Sequence, residues 1–286
     1  MSFANLASYI ATAPLKSGTT PIAILLIEDL VEVNSTIRHH AKLGFERVIV
    51  LGPEEMKISP ELASQIDRIT YDTHQQGALE TAVNTIIEAA PARWIYYGYN
   101  AEYLFYPFCE SRNIVELTRF VTEERRKSIL TYVVDLYADD LSASPNGVSV
   151  SRAHLDKSGY YAHSRSRDNQ TMERQLDMFG GLRWRFEEHI AKDRRKIDRI
   201  GLFYAEKGLK LRQDHTFNVE EYNTYSSPWH HSVTATICSF RVAKSLKTNP
   251  GPSEQIDSFA WMNSQKFNWH SRQLLDLGLM ESGQWF

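Results

Sequence analysis

Apolar residues in this chain fall into short continuous runs that alternate with stretches of helical spacing. Ile22-Ala-Ile-Leu-Leu-Ile27 follows Pro21 with no polar interruption, the pattern of a strand buried on both faces of a sheet. Leu30, Val33, Ile37 and Ala41 then recur at helical spacing, and Gly44 supplies a C-terminal cap. A second buried run, Arg47 to Leu51, stops at Gly52-Pro53. Strand, helix and strand within roughly 30 residues predict a right-handed βαβ unit and a parallel sheet.

The alternation continues. Asp67 to Tyr71 reads as a short strand, and Ala78, Leu79, Ala82, Val83, Ile86, Ile87 and Ala90 make an amphipathic helix closed by Pro91. An aromatic-rich strand begins at Arg93-Trp94, turns polar over Gly98 to Glu102 and becomes apolar again up to Pro107. In an open α/β sheet ligands sit at the carboxyl ends of strands, so Gly98 to Glu102 would border a site. Tyr96, Tyr97, Tyr103, Phe105 and Tyr106 read as core packing. Tyr99 would instead plug the pocket or stack on a ligand. Asn113-x-x-Glu116 ahead of Leu117, Phe120 and Val121 is a capping box. Ile129 to Leu136 is the next strand, with Asp135 near its end.

Beyond Ala138 the pattern weakens. Ser142 to Asn146 reads as loop, and residues 151–175 are polar with little periodicity. Gly180-Gly181 then turns the chain into Leu182 to Phe186, followed by a basic run from Lys192 to Arg199. Gly208, Pro228, Pro250, Gly251 and Pro252 punctuate the rest. Phe259, Trp261, Met262, Phe267 and Trp269 predict a helix packed back on the domain, with a membrane-surface or dimer contact as the alternative.

With 286 residues and 42% apolar content, the chain reads as one principal domain, residues 1–286, with an elaborated C-terminal half. A net charge of -3 provides no global attraction to nucleic acid or anionic lipid. Cys109 and Cys238 lie far apart, which excludes a disulfide framework and fits a reducing cytoplasm. No run approaches the roughly 18 apolar residues of a spanning helix, and the first residues lack a basic leader, so neither secretion nor a transmembrane segment is expected. His230-His231 with His215 and Cys238 could form a soft metal cluster, but the spacing matches no standard zinc site. The absence of a P-loop, of Gly-x-Gly-x-x-Gly and of Gly-x-Ser-x-Gly argues against a nucleoside triphosphatase, a dehydrogenase and a serine hydrolase.

Several motifs, in order, carry a family resemblance. Trp94, Glu102, Tyr103 and Leu104 match part of Trp-x-x-x-x-Asp-x-Asp-Glu-Phe-Leu, and Ile37-Arg-His-His-Ala-Lys-Leu-Gly-Phe-Glu-Arg-Val-Ile-Val50 is similar to a His-His…Leu-Gly-Phe helix-to-strand segment. Val134-Asp135-Leu136-Tyr137, Gly180-Gly181-x-Arg183, and Lys196 with Ile200 to Phe203 follow, with Gln76 (or Gln75) and Asp214-His215 also in register. Taken together, residues 22 to about 242 resemble the inverting family-2 glycosyltransferases of bacteria. The resemblance implies a GT-A-like α/β fold, mostly parallel, with a nucleotide-binding-type half over about residues 20–140 and an acceptor-side half after it.

The resemblance also implies a nucleotide-sugar donor, a glycan acceptor and a place in polysaccharide or glycoconjugate synthesis, in the cytoplasm or peripheral at the membrane, with a homodimer open to it and no role for nucleic acid. Its departures fall where chemistry is expected. The Asp-x-Asp aspartates are replaced by Tyr99 and Ala101, which disfavours Mn²⁺ or Mg²⁺, since these ions want carboxylate oxygen. Glu28 survives alone where Asn-Glu is usual, Gly52-Pro53-Glu54-Glu55 replaces a nucleoside-binding turn, and a late histidine falls around Cys238. On this reading no residue is assigned to a metal. Arg152, Arg165, Arg167, Arg183, Arg185 and Lys196 would supply a metal-free clamp on the diphosphate. Asp135, Asp214 and Glu102 are the candidates for catalysis, Asp135 and Asp214 as general base. Glu28, Gln76, Tyr99, Asn100, Gly180, Gly181, Arg183, Lys196 and His215 are the candidates for substrate binding. His39-His40 reads as structural, one ring packed and the other in solvent. The leading expectation is a metal-independent glycosyltransferase. The alternative is a catalytically degenerate relative that binds carbohydrate or protein.

Overall fold

A computed structural model describes residues 1–12, 15, 20–226 and 231–285. The chain is an α/β protein with a large mixed, mostly parallel sheet and helices. Its first half runs β1 (Ser2–Phe3), α1 (Leu6–Thr12), β2 (Ile22–Leu26), α2 (Val33–Lys42), β3 (Arg47–Gly52), α3 (Pro60–Ala63), β4 (Ile66–Thr70), α4 (Ala78–Ala89), β5 (Arg93–Tyr99), β6 (Glu102–Phe105), α5 (Ile114–Glu123) and β7 (Ser128–Asp135). Then follow β8 (Tyr137–Ala138), β9 (Ala153–Asp156), β10 (Tyr161–Arg167), β11 (Gln170–Phe179), α6 (Leu182–Arg185), β12 (Asp198–Ala205), β13 (Ala235–Ser239), α7 (Arg241–Thr248), α8 (Pro252–Gln255), β14 (Ser264–Lys266) and α9 (Ser271–Asp276). These elements form two compact units. One comprises Met1–Tyr103, Ser111–Leu130 and Ile200–Asn223, the other Leu104–Glu110, Thr131–Arg199 and Thr224–Phe286.

In the first unit the strands lie in the order β1-β4-β3-β2-β5-β12. All these pairings are parallel except that of β12 with β5. The continuous apolar runs become the inner strands because both faces are covered: every residue of β2 and β5 is buried. Helix α4 lays Ala78, Leu79, Ala82, Val83, Ile86 and Ile87 into the core. The capping box of α5 forms in full, Asn113 accepting from the backbone of Val115 and Glu116 while Glu116 accepts from the Asn113 N–H. His40 is fully buried and stacks on Tyr96 at 5.0 Å. Burial lowers its pKa to about 3, so its ring belongs to the core as a neutral group. The neighbouring His39 is half-buried, its ring edge-on to Tyr103.

The second unit pairs β7 with β13 in parallel, Thr131–Asp135 against Ala235–Ser239. A small antiparallel sheet, β14-β9-β8, lies in the same unit. Residues 151–175, polar and with little periodicity in the sequence, contain β9 and most of the β10–β11 hairpin. Much of that hairpin is exposed, so no buried face imposed the two-residue alternation that marks a strand. It closes through Asp168 and Asn169, both left-handed with φ of 50° and 61°, the geometry of a two-residue type I′ turn.

The helix expected around Phe259 to Trp269 does not form. The segment runs as a loop into β14, which is paired antiparallel with β9, and α9 begins only at Ser271. Phe259 and Phe267 are buried, Trp261 and Trp269 are half-buried, and Met262 is 86% exposed. The backbone groups here are spent on strand pairing, including the Phe267 N–H to the Ala153 carbonyl at 2.8 Å. Among the described residues, no helix is long and apolar enough to cross a membrane.

Candidate functional site

In the first unit β2 lies between β3, the next strand in the chain, and β5. The direction of winding therefore reverses between β2 and β5, and the crevice beyond their carboxyl ends is where an open α/β sheet takes a ligand. The residues at that point are Glu28 and Asp29 after β2 and Asn100 after β5. Asn100 is fully buried and spends its side chain on its neighbours. Its Oδ1 accepts from the Glu28 N–H at 2.9 Å, and its Nδ2 donates to Asp29 Oδ1 at 2.7 Å and to the Val31 carbonyl at 2.9 Å. Both amide hydrogens are consumed.

The turn that follows is also self-contained. Ala101 adopts φ 59°, and its N–H donates to Thr36 Oγ1 at 2.8 Å. Glu102, fully buried, accepts the Tyr99 N–H at 3.0 Å. Tyr99 is buried as well, so its ring belongs to the interior. Tyr103 meets Ser35 Oγ at 2.9 Å, and Ser35 also donates to the Glu32 carboxylate. The carboxyl-end segments of β2, β3, β4 and β5 carry Glu28, Asp29, Glu32, Glu54, Glu55 and Asp72, against Lys57 and the Arg68 guanidinium that donates to the Glu54 carbonyl. This edge is acidic.

Other expected site residues in this unit have local roles. Asp214 Oδ1 accepts from the N–H and the hydroxyl of Thr216, at 3.1 and 2.6 Å, which makes it a turn-forming side chain. His215 adopts φ 61° and stacks on Tyr97 at 5.9 Å, with its Nδ1 3.1 Å from the Tyr97 hydroxyl. Gln76 is exposed in the turn before α4.

The second unit gathers Asp135, Gly180, Gly181, Arg183 and Lys196. Asp135 is buried at the end of β7 and accepts from the Arg183 N–H at 3.2 Å and from Arg183 Nε at 3.4 Å. Arg183 Nη1 donates to the Lys196 carbonyl at 2.7 Å. Gly181, at φ 64°, lets the chain pass so close that a Cβ would stand 2.9 Å from Asp135 Oδ2. A Cβ on Gly180 would collide with the Tyr160 ring at 2.3 Å. The double glycine is therefore required by packing.

Burial pushes the Asp135 carboxyl up to about 6, Arg183 pulling against it and Asp156 adding to the rise. A carboxyl raised in the folded state contributes stability that is fully present below its ordinary value near 4 and is lost as pH rises through 6. Urea unfolding across that range is expected to show wild type losing stability relative to Asp135→Asn between about pH 4 and 6, then levelling off. A difference that stays flat, or rises with pH, would refute the assignment.

The cations expected to clamp a diphosphate are instead committed to carboxylates. Arg165 pairs with Asp198 at 2.5 Å and with Asp177 at 2.8 Å, and Lys196 also pairs with Asp177 at 2.8 Å. Arg185 pairs with Asp156 at 2.9 Å, and Arg152 with Asp139 at 2.9 Å. Arg167 lies at the end of β10 and has an interaction of its own. A divalent ion on the Asp-x-Asp positions does not fit the donors present: Tyr99 and Ala101 offer no carboxylate, Asp29 binds Asn100, and Glu102 binds the Tyr99 N–H. Among the described residues no group of three or more His, Cys, Asp or Glu side chains is placed to hold a metal. His230, part of the soft-metal cluster considered from spacing, lies outside the described residues, and Cys238 is fully buried in β13.

Two features escaped sequence reasoning: Asn100 as the hub of the switch point, and Asp156 as the hub of a buried network with Tyr137, Arg185 and Trp261. The first had a signal in its place at the end of the aromatic strand. The second had none, because its partners are scattered over more than a hundred residues. No protein-family model matches this chain, and no curated protein matches it.

Proposed function

We propose that this chain is a glycosyltransferase-like α/β protein without transfer chemistry that acts as a carbohydrate-binding module. The observation that carries the reading is the commitment of the Asn100 amide at the switch point, where it is spent on Glu28, Asp29 and Val31. An anionic diphosphate brought to that edge meets carboxylates, and like charges disfavour it there. The ordered motifs from Ile22 onward support descent from a transferase, while the spent Asn100 amide and the pairing of Arg165, Arg185 and Lys196 with carboxylates reverse the preference for an enzyme drawn from the motifs alone.

A metal-independent glycosyltransferase is the second reading. It is favoured by Asp135, whose carboxyl, raised to about 6, lies in the range useful to a general base.

Calorimetric titration with UDP, GDP, CDP and TDP, each with Mn²⁺ and with EDTA, separates the two. We expect no binding of any nucleotide, alongside measurable binding of at least one neutral oligosaccharide. Nucleotide binding that survives EDTA would overturn the first reading in favour of the second.

A further inference from the structure

In the second unit two indole rings flank Gly159. A Cβ at that glycine would lie 3.5 Å from Trp184 Cζ3 and 3.9 Å from Trp261 Cη2, so both rings border the same exposed stretch of backbone. Trp184, on α6, leaves 43% of its surface in solvent. Trp261 is half-buried and held from several directions. Its Nε1–H donates to Asp156 Oδ1 at 2.7 Å, its backbone N–H donates to Ser264 Oγ at 2.8 Å, and the Arg185 guanidinium lies 4.9 Å from its ring centroid. Asp156 is buried and also receives the Tyr137 hydroxyl and Arg185. The orientation of Trp261 is thus set by groups that cannot move independently of the core.

We propose that Trp184 and Trp261, with Gly159 between them, form a stacking subsite for a neutral pyranose ring. The proposal rests on the carbohydrate-binding reading above and names the place where binding occurs. A pyranose presents a face of polarised C–H bonds, which suits the negative face of an indole. A platform already ordered before binding loses little rotamer freedom on contact. The charges behind Trp261 cancel, since Arg185 is paired with Asp156. The scale also fits a sugar: two partly exposed indoles offer on the order of 200 Å², against about 800 Å² per partner in a stable protein interface.

The test uses the full chain with maltoheptaose, cellohexaose and chitohexaose, read by tryptophan fluorescence and calorimetry. At least one is expected to bind and shift the emission. Trp184→Ala should weaken that binding about tenfold, Trp184→Tyr should retain most of it, and neither should change the unfolding midpoint. If an oligosaccharide binds wild type and Trp184→Ala equally well, the subsite is overturned while the carbohydrate-binding reading stands. If wild type binds none of the three, both are overturned. If Trp184→Ala instead changes the sedimentation of the sugar-free protein, the rings serve a protein contact and the proposal fails.

Discussion

Asp156→Ala is expected to lower the unfolding free energy by about 3–5 kcal/mol, the loss typical of removing one partner from a buried ion pair. Asp156 is 1% exposed and accepts from the Tyr137 hydroxyl at 2.5 Å, from Trp261 Nε1 at 2.7 Å, and from Arg185 Nε and Nη2 at 2.9 and 3.3 Å. Without the carboxylate, the Arg185 guanidinium stays largely buried with its charge uncompensated, the Trp261 indole N–H loses its acceptor, and the Tyr137 hydroxyl is left with Ser264 Oγ at 2.7 Å. The Phe259 carbonyl, 2.9 Å from Arg185 Nη2, replaces only part of what is lost. Against a typical total of about 5–15 kcal/mol, such a loss would be severe. Asp156→Asn keeps an acceptor oxygen and should fall between wild type and the alanine variant. Denaturant unfolding followed by near-ultraviolet circular dichroism measures both. A loss below about 1 kcal/mol for the alanine variant would mean that water takes over the role of the carboxylate.

The second large effect belongs to Asn100. Asn100→Ala removes the partner of the Glu28 N–H and of the Val31 carbonyl, and deprives the Asp29 carboxylate of a donor at 2.7 Å. Asn100 is fully buried, so at about 1–3 kcal/mol for each buried group left unmatched, a loss near 3 kcal/mol is expected. Amide hydrogen exchange provides a local reading. The Glu28 N–H should lose protection in the variant while amides within β3, such as Ile49, change only with global stability. Retained protection at Glu28 would show that another acceptor replaces the Asn100 oxygen.

Much of the first unit was legible because its strands are buried on both faces. Continuous apolar runs such as Ile22 to Ile27, bounded by turn residues, suit strands covered on both faces, and helical spacing in α2 and α4 follows from covering those strands. The capping box at Asn113 and Glu116 was legible because its chemistry spans only four residues. The β10–β11 hairpin was not, since exposed strands carry no apolar alternation. Nor was the path of Phe259 to Phe267, where pairing of β14 with β9 decides a segment whose composition admits a helix equally well.

The candidate site divides in the same way. That Asp135, Gly180-Gly181 and Arg183 belong together was implied by motif order, and they do meet. Their role depends on distances, because a carboxyl held by Arg183 behind a glycine differs from one open to a hydroxyl acceptor. Residue types by themselves determined the parallel αβ alternation, the caps and the absence of carboxylates at Tyr99 and Ala101, since each depends on neighbours within a few positions. Only the tertiary structure decided that the Asn100 amide is spent at the switch point, that Arg165 and Arg185 pair with the buried Asp198 and Asp156, and that Trp184 and Trp261 flank one glycine. Those facts depend on residues far apart in the chain, Asn100 and Glu28 being separated by 72 positions, and burial sets whether a polar group is free for a ligand or already satisfied.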